Sequence, residues 1–403
     1  MEKLFQRHDE YIGQTSTDFV RSTMYETNWD SRLICIKGPK GVGKSTLLLQ
    51  RIKMQFEEGD RRALYCSADT GYFSTHTLVD TASMFVKLGG THLFIDEIHK
   101  YDGWSSELKE IYDLYKGLHV VVSGSSLLQL NDGDADLSRR MISYNMPGLS
   151  FREYLCLETG MQFDTISLEK LLANPTKFCN KVKAQCRPLA YFKKFLKDGY
   201  YPFYYEDKIG YAARVENVTN YIIETELPRL RKVETGNTRK LKALLQVISQ
   251  LVPFEVDVSK ISKNIGIQRN TTLNYFKYLE EARLIFRLFS DLDTVSDLQK
   301  PDKILIDNPN LFYVLSDKLP EIGTVRESFF CNQLRNAQHR IEYGGIKNGD
   351  FRIDRKYVIE VGGSEKGFKQ IDEADKENGF VAADDIDSAV GKKIPLWAFG
   401  FLY

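Results

Sequence analysis

The sequence predicts an α/β protein: a parallel sheet carrying a phosphate-binding loop, then a helical region, a helix–turn–helix segment and a smaller C-terminal α/β part. Three observations carry this. Short apolar runs alternate with helical patterns from residue 33 to residue 122, the signature of parallel strands covered on both faces. Gly38–Ser45 reads G-P-K-G-V-G-K-S between one such run and a helix. A third run, His92–Ile95, ends in two adjacent acids, Asp96 and Glu97.

A chain of 403 residues, 42% hydrophobic, is expected to form two or more domains with cores of their own. The change of pattern along it places the divisions at 1–155, 156–235, 236–299 and 300–403. A formal net charge of +0 excludes a chain that coats nucleic acid through overall positive charge, though not one with a local basic face. The six cysteines show no C-x-x-C pair and no zinc-type spacing, so they read as small buried apolar residues in a reducing compartment. The N-terminal stretch is charged and no apolar run is long enough to cross a bilayer. The expectation is a soluble cytoplasmic protein with no membrane partner.

The elements follow from the pattern. One or two helices fill residues 1–30. Leu33–Ile36, Ala63–Cys66, His92–Ile95 and Leu118–Val122 are buried strands, with helices over about 44–56, 75–88 and 104–116 between them. Strand signals then vanish through a helical stretch to about residue 250; Leu284–Phe289 reads as a wing strand, and from about residue 300 short strand signals return, among them Tyr357–Val361. The apolar tail Ile394–Tyr403 is expected to be a final buried strand.

The loop Gly38, Pro39, Lys40, Gly41, Val42, Gly43, Lys44, Ser45 and Thr46 has the composition a triphosphate requires. Glycines let the main chain curl so that N–H groups converge on phosphate oxygens, and the following helix N-terminus adds positive potential. Lys44 reaches the outer phosphates, and the hydroxyl of Ser45 is a Mg²⁺ ligand. Asp96, at the C-terminal edge of its strand, is the second metal residue, and Glu97 is the candidate to polarise the attacking water. Ser123, ending the next strand, is either a sensor of the terminal phosphate or part of an ordinary Gly-Ser turn. The cofactors implied are ATP and Mg²⁺, and the activity is ATP hydrolysis.

These motifs resemble a family of AAA+-like prokaryotic P-loop ATPases. Phe94–Trp104 (FIDEIHKYDGW) is similar to its second ATP-site motif, Val122–Ser126 to its next strand, and Gly148–Tyr154 (GLSFREY) to its Pro-Leu-Ser-Phe-Arg-Glu signature. Asp198–Pro202 continues the likeness into the helical lid region. The resemblance implies an arginine after the sensor strand that reaches a neighbour's nucleotide; Arg140 holds the aligned position, with Arg139 beside it and Arg152 a further candidate. Such an arginine requires a head-to-tail homo-oligomer, a ring with a hexamer as one option.

Residues 240–290 read as a winged helix. Val258, Ile261 and Ile265 share one face of a first helix, Gly266 makes the turn, and Arg269–Glu280 forms the second, with Leu273, Phe276 and Leu279 inward. Arg269, Asn270, Thr271, Thr272, Asn274 and Lys277 are the residues expected to face DNA. Lys181, Lys183, Lys193, Lys194, Lys197, Arg229, Arg231, Lys232, Arg239 and Lys240 either extend a basic track or form ordinary solvated faces. The alternative for the winged helix is protein contact.

The C-terminal part resembles a restriction-endonuclease-like fold. Glu327, Asp350 and Glu360 fall where that fold's acids lie. Gly362 stands where its lysine is needed, so an inert, vestigial site is expected, with Lys366 and Lys369 nearby. The function these readings imply is an oligomeric ATPase that remodels or translocates on duplex or branched DNA in recombination, repair or defence. Two alternatives stay open: an ATP-dependent switch binding a protein partner, and an ATP-gated metal-dependent nuclease.

Overall fold

The computed structural model describes residues 1–127, 135–250, 256–293, 299–316, 318–345 and 349–403, in two compact units, Met1–Pro147 and Gly148–Tyr403. In the first unit, α1 (Glu2–Gln14) and a short turn of helix precede β1 (Leu33–Gly38), α2 (Lys44–Gln55), β2 (Ala63–Ser67), α3 (Leu78–Lys87), β3 (His92–Asp96), α4 (Trp104–Leu114), β4 (His119–Ser125) and β5 (Ile142–Asn145). The strands form one all-parallel sheet in the order β2-β3-β4-β1-β5. The continuous apolar runs read from the sequence are the four strands β1–β4, fully buried because helices cover both faces. The fifth strand was not expected: Ile142–Asn145 is only partly buried, so its composition gives no strand signal.

Two details fix the sheet's edges. The β2 edge is closed by α1, whose His8 Nδ1 accepts a hydrogen bond from the Tyr65 N–H at 2.9 Å. An open edge N–H is thereby satisfied within the unit. Burial keeps the His8 ring below its ordinary pKa, which favours the neutral acceptor form. At the other side β5 leads to Met146, whose N–H bonds to Lys37 O at 2.6 Å.

The second unit starts with α5 (Phe151–Thr159) and continues through α6 (Pro175–Lys183), α7 (Pro188–Asp198), α8 (Tyr211–Tyr221) and α9 (Thr238–Gln250). Ser150 and Glu153 form a reciprocal capping box at the start of α5, and Phe151 packs on Phe192, Phe195 and Phe401. Arg152 is buried, donating to the carbonyls of Tyr403 and Phe163. The GLSFREY segment is therefore a helix start and a core anchor.

Next come α10 (Val258–Ile265), α11 (Arg269–Glu281) and an antiparallel pair, β6 (Ile285–Leu288) with β7 (Lys303–Ile306). Asp257 caps α10 through the Lys260 N–H, and Gly266 makes the turn at φ +71°. The rest is a mixed sheet, β12-β11-β10-β9-β8, backed by α12 (Ile322–Asn336). Its strands are β8 (Ile341–Tyr343), β9 (Phe351–Ile353), β10 (Tyr357–Gly362), β11 (Gly379–Ala383) and β12 (Lys393–Pro395). The apolar tail is buried as expected but is not one strand: after β12 it turns into a 3₁₀ helix, Leu396–Phe401. Gly400 is needed there because a Cβ would lie 2.4 Å from Phe151 Cβ. No helix among the described residues is long and apolar enough to cross a membrane.

Candidate active site

The loop between β1 and α2 is shaped by three glycines. Gly41 and Gly43 take φ of +85° and +97°, the left-handed region that other residues avoid. Gly38 serves close approach: a Cβ on it would sit 2.1 Å from Met146 O. The loop is also tied from outside. Arg21, buried, donates to Val42 O and to Pro147 O, each at 2.8 Å. Lys44 is buried and bonds Gly38 O at 2.8 Å and Pro39 O at 2.9 Å, so its ammonium lies across the loop. Ser45 is half-buried and Thr46 exposed at the helix start.

The acids lie across β4. In register, Ile36 of β1 faces Ser123 of β4, and Ile95 of β3 faces Val122, which brings Asp96 level with Ser123. Two strand spacings separate β3 from β1, about 10 Å, enough to hold a nucleotide's outer phosphates between loop and acid. Asp96 is 3% exposed and fully engaged. Its Oδ2 accepts from the Tyr65 hydroxyl at 2.7 Å, and its Oδ1 accepts from the Ser123 hydroxyl and, at 3.1 Å, from the Glu97 N–H. Burial, then the Asp96 charge, drives the Tyr65 phenol far above its ordinary pKa, so it remains a donor. Ser123 is thus part of the acid's hydrogen-bond network, which no sequence signal separated from a turn.

Glu97 sits at φ +53°, a left-handed conformation for a non-glycine residue. Its Oε2 lies 3.5 Å from Nε2 of buried His99. Because His99 Nδ1 accepts the Ser125 N–H at 3.3 Å, the neutral ring carries its proton on Nε2, facing Glu97. Arg21 and Tyr65 escaped sequence reading, since each acts through contacts far along the chain; His99 was read only as part of the Phe94–Trp104 motif, without a role of its own. Cys35 and Cys66 flank the site on β1 and β2 and are inert thiols, pushed up to about 12 by burial.

The other expected site residues fare unevenly. Arg140 pairs with Asp113 through Nε–Oδ1 and Nη2–Oδ2, both 3.1 Å. On α11, Arg269 and Asn270 are exposed, and Thr271, Asn274 and Lys277 are half-buried. Thr272 is a correction: it is fully buried, and its hydroxyl bonds Ser262 Oγ at 2.8 Å and Gln268 O at 3.2 Å, so it locks the two helices and faces no ligand. The basic track is interrupted, since Lys181, Lys193, Lys194 and Arg231 pair with Asp164, Asp385, Glu158 and Glu281.

In the mixed sheet, Glu327 of α12 pairs with Lys303 at 2.7 Å. Asp350 and Glu360 come together around the Lys366 ammonium, at 3.3 and 2.5 Å. Burial raises both Glu327 and Glu360 above the ordinary carboxylate range, against the pull of their lysines. Among the described residues no group of three or more His, Cys, Asp or Glu side chains is placed to hold a metal ion.

Comparison with known proteins agrees with the geometry of the first unit. Residues 30–155 match the family model of an AAA domain, and residues 190–315 match a domain of unknown function. The N-terminal part is thus AAA-like, a parallel-sheet α/β core with a P-loop, followed by a C-terminal mixed-sheet part. An uncharacterized protein of Methanocaldococcus jannaschii is 25% identical over 381 residues, spanning 86% of this chain and 79% of its own length. Among solved structures, the Aeropyrum pernix ORC1 protein in complex with DNA is 12% identical, covering 78% of this chain and 91% of that one, with a TM-score of 0.33. AMPPCP-bound DnaA from Aquifex aeolicus is 16% identical, covering 64% and 84%, with a TM-score of 0.26.

Proposed function

We propose that this chain is an ATP hydrolase that works as a homo-oligomer on DNA, remodelling or translocating on duplex or branched forms. The observation that carries the hydrolytic half is the acid cluster beside the P-loop: Asp96 held by Tyr65 and Ser123, with Glu97 facing His99. The residues fit the cofactors. The loop's curled amides and the α2 N-terminus suit phosphate oxygens, and Ser45 and Asp96 would hold Mg²⁺, whose charge offsets that of the phosphates.

In this mechanism Lys44 exchanges the carbonyls of Gly38 and Pro39 for phosphate oxygens. Glu97 takes a hydrogen bond from the attacking water and draws off its proton as the water oxygen bonds to the terminal phosphorus and the bridging P–O bond breaks. His99 lies beside the Glu97 carboxylate, its Nε2 at 3.5 Å. Ser123 holds Asp96 so that it need not reorganise. Arg140, freed from Asp113, is the candidate to reach a neighbouring subunit's nucleotide, which is the basis for a ring.

The DNA half rests on the helix–turn–helix with its strand pair, read as a winged helix with Arg269, Asn270, Thr271, Asn274 and Lys277 toward the duplex. The test is ATP turnover with and without duplex, single-stranded and four-way DNA. We expect stimulation, abolished by Lys44→Ala; undiminished turnover in that variant overturns the reading. A second reading, an ATP-dependent switch that binds a protein, is favoured by the ion pairs that interrupt the basic track. DNA-independent turnover with no DNA affinity at low salt selects it.

A further inference from the structure

We propose that one face of α6 is a seat for single-stranded nucleic acid, in which an unpaired base stacks on Phe178 while lysines beside it take successive phosphates. The seat is a cavity of about 500 Å³ in the second unit, lined by residues of the 162–166 loop, the short helix Leu168–Ala173, α6 and the C-terminal 3₁₀ helix. Its floor follows from ring packing. Phe163 and Phe178 both stand edge-on to Phe401, with centroids 6.0 and 5.3 Å away. Phe163 and Phe401 are buried, but Phe178 is only half-buried. Packing on Phe401 therefore fixes Phe178 and leaves part of it open to the cavity. A ring held this way is a ready platform, because every base offers a π-face and the platform has little freedom left to lose on binding.

The rim selects an anion. Lys170, Lys177 and Lys181 line the cavity against a single acid, Asp164. Lys170 and Lys177 are exposed and have no ion-pair partner among the described residues. Lys181 meets Asp164 at 2.8 Å, but the two side chains are 62% and 83% exposed, so the pair is weak and yields to a phosphate. The N-terminus of α6 adds positive potential, since its cap residue Asn174 lines the cavity and makes no side-chain capping bond. Lys177 and Lys181 are four residues apart on one helix ridge, about 6 Å between their Cβ atoms. A strand laid along this ridge meets both with neighbouring phosphates, and the base between them reaches Phe178.

A duplex does not suit the seat, because its bases are stacked on one another and present edges rather than faces. A free acid with an apolar body needs one cation, whereas three spaced over two helices suit a repeating anion. The seat complements the helix–turn–helix: one takes the unpaired arm of a branched substrate, the other the paired arm. This division of labour rests on the proposed function; the affinity for a single strand does not.

The test is fluorescence anisotropy of a labelled oligothymidylate and a labelled duplex with the full chain at several salt concentrations. We expect the oligothymidylate to bind. Phe178→Leu keeps an apolar side chain against Phe401 but removes the stacking face, and should weaken that binding about tenfold; Phe178→Trp should keep it. Lys170→Gln and Lys177→Gln should each lower the slope of log K against log salt by about 0.7. Asp164→Asn removes the opposing charge and should tighten binding about threefold. Duplex affinity should stay the same in all of these. Should Phe178→Leu misfold, the exposed lysines and Asp164 still decide. The proposal is overturned by wild-type protein that binds no oligothymidylate at low salt, by salt slopes unchanged in both lysine variants, or by weaker binding in Asp164→Asn. Calorimetric binding of decanoate that Phe178→Leu abolishes while oligothymidylate affinity is kept overturns it too. DNA-free ATP turnover, read in the same preparations, should be unchanged in every one of these variants, so failure here is separate from failure of the ATPase reading.

Discussion

Arg21 joins the phosphate-binding loop to the end of the first unit: one guanidinium nitrogen bonds Val42 O and the other Pro147 O, both at 2.8 Å. The Gly38 Cα approaches the same exit segment, leaving no room for a Cβ beside Met146 O. The loop and the segment after β5 are thus held together by one side chain and one close approach at a glycine. Arg21→Ala removes two charge-assisted bonds at a buried site, each worth about 1.5–3 kcal/mol. We expect affinity for a fluorescent ATP analogue to fall about tenfold or more. Arg21→Lys should not rescue it, because a single ammonium lacks the planar fork that serves two carbonyls at once. Unchanged affinity in Arg21→Ala would show that the loop holds its form unaided.

Tyr65 supplies a separate prediction. Its hydroxyl is the donor to Asp96 Oδ2, from a strand that touches neither β1 nor the loop. Tyr65→Phe keeps the ring and deletes the donor. We expect a loss of about 1–2 kcal/mol in stability, for a buried charge stripped of one bond, together with a changed Mg²⁺ dependence of ATP turnover. A Mg²⁺ titration identical to that of the unaltered protein would argue that Asp96 is held well enough by Ser123 and the Glu97 N–H.

Much of the first unit was legible because its physics is local. A strand buried on both faces needs an unbroken apolar run, and Leu33–Ile36, Ala63–Cys66 and His92–Ile95 provide one each; a curled phosphate loop needs glycine at the positions where Gly41 and Gly43 stand. What escaped depends on distant partners. The strand Ile142–Asn145 is half-exposed at a sheet edge, and its pairing with β1 leaves no mark on composition. Arg21 and Tyr65 look like any surface arginine and any strand tyrosine until folding brings Val42 and Asp96 to them. Lys366 lies outside the E-x-K spacing, and only the fold shows that it reaches Glu360. Thr272 was readable and misread: it falls on the same helical stripe as Phe276 and Leu279, at i, i+4 and i+7, and so points inward.

That misreading yields a paired test. Thr272→Val keeps volume but breaks the bond to Ser262 Oγ inside the second unit. It should cost about 1 kcal/mol in stability while leaving DNA affinity unchanged. Arg269→Ala and Asn270→Ala remove exposed groups and should do the reverse. Affinity should fall in both, and the salt dependence should flatten for Arg269→Ala if it meets a phosphate. Fluorescence anisotropy at several salt concentrations, beside thermal unfolding, separates the two outcomes.

The pH dependence of the first unit should be set in large part by His92, which is stacked on His119. His92 and His119 face each other in register on β3 and β4, with ring centroids 4.8 Å apart and planes 12° from parallel. Burial, then the charges of His119, Arg51 and Arg62, lowers His92 from 6.5 to about 4, with Asp60 opposing. The unfolded ring protonates near 6.5 and the folded one only near 4, so the unfolded state binds more protons between those values. This contribution to stability is therefore complete above pH 6.5 and is lost as the pH falls toward 4. Thermal unfolding from pH 7.5 to 5 should show a falling midpoint, about 4 °C for each kcal/mol in a unit of this size. His92→Phe keeps an aromatic ring against Phe56 and His119 and removes the titrating group, so its midpoint should decline less over the same range. An equal slope in both proteins would assign the acid sensitivity elsewhere, with His8, also lowered by burial, the next group to test.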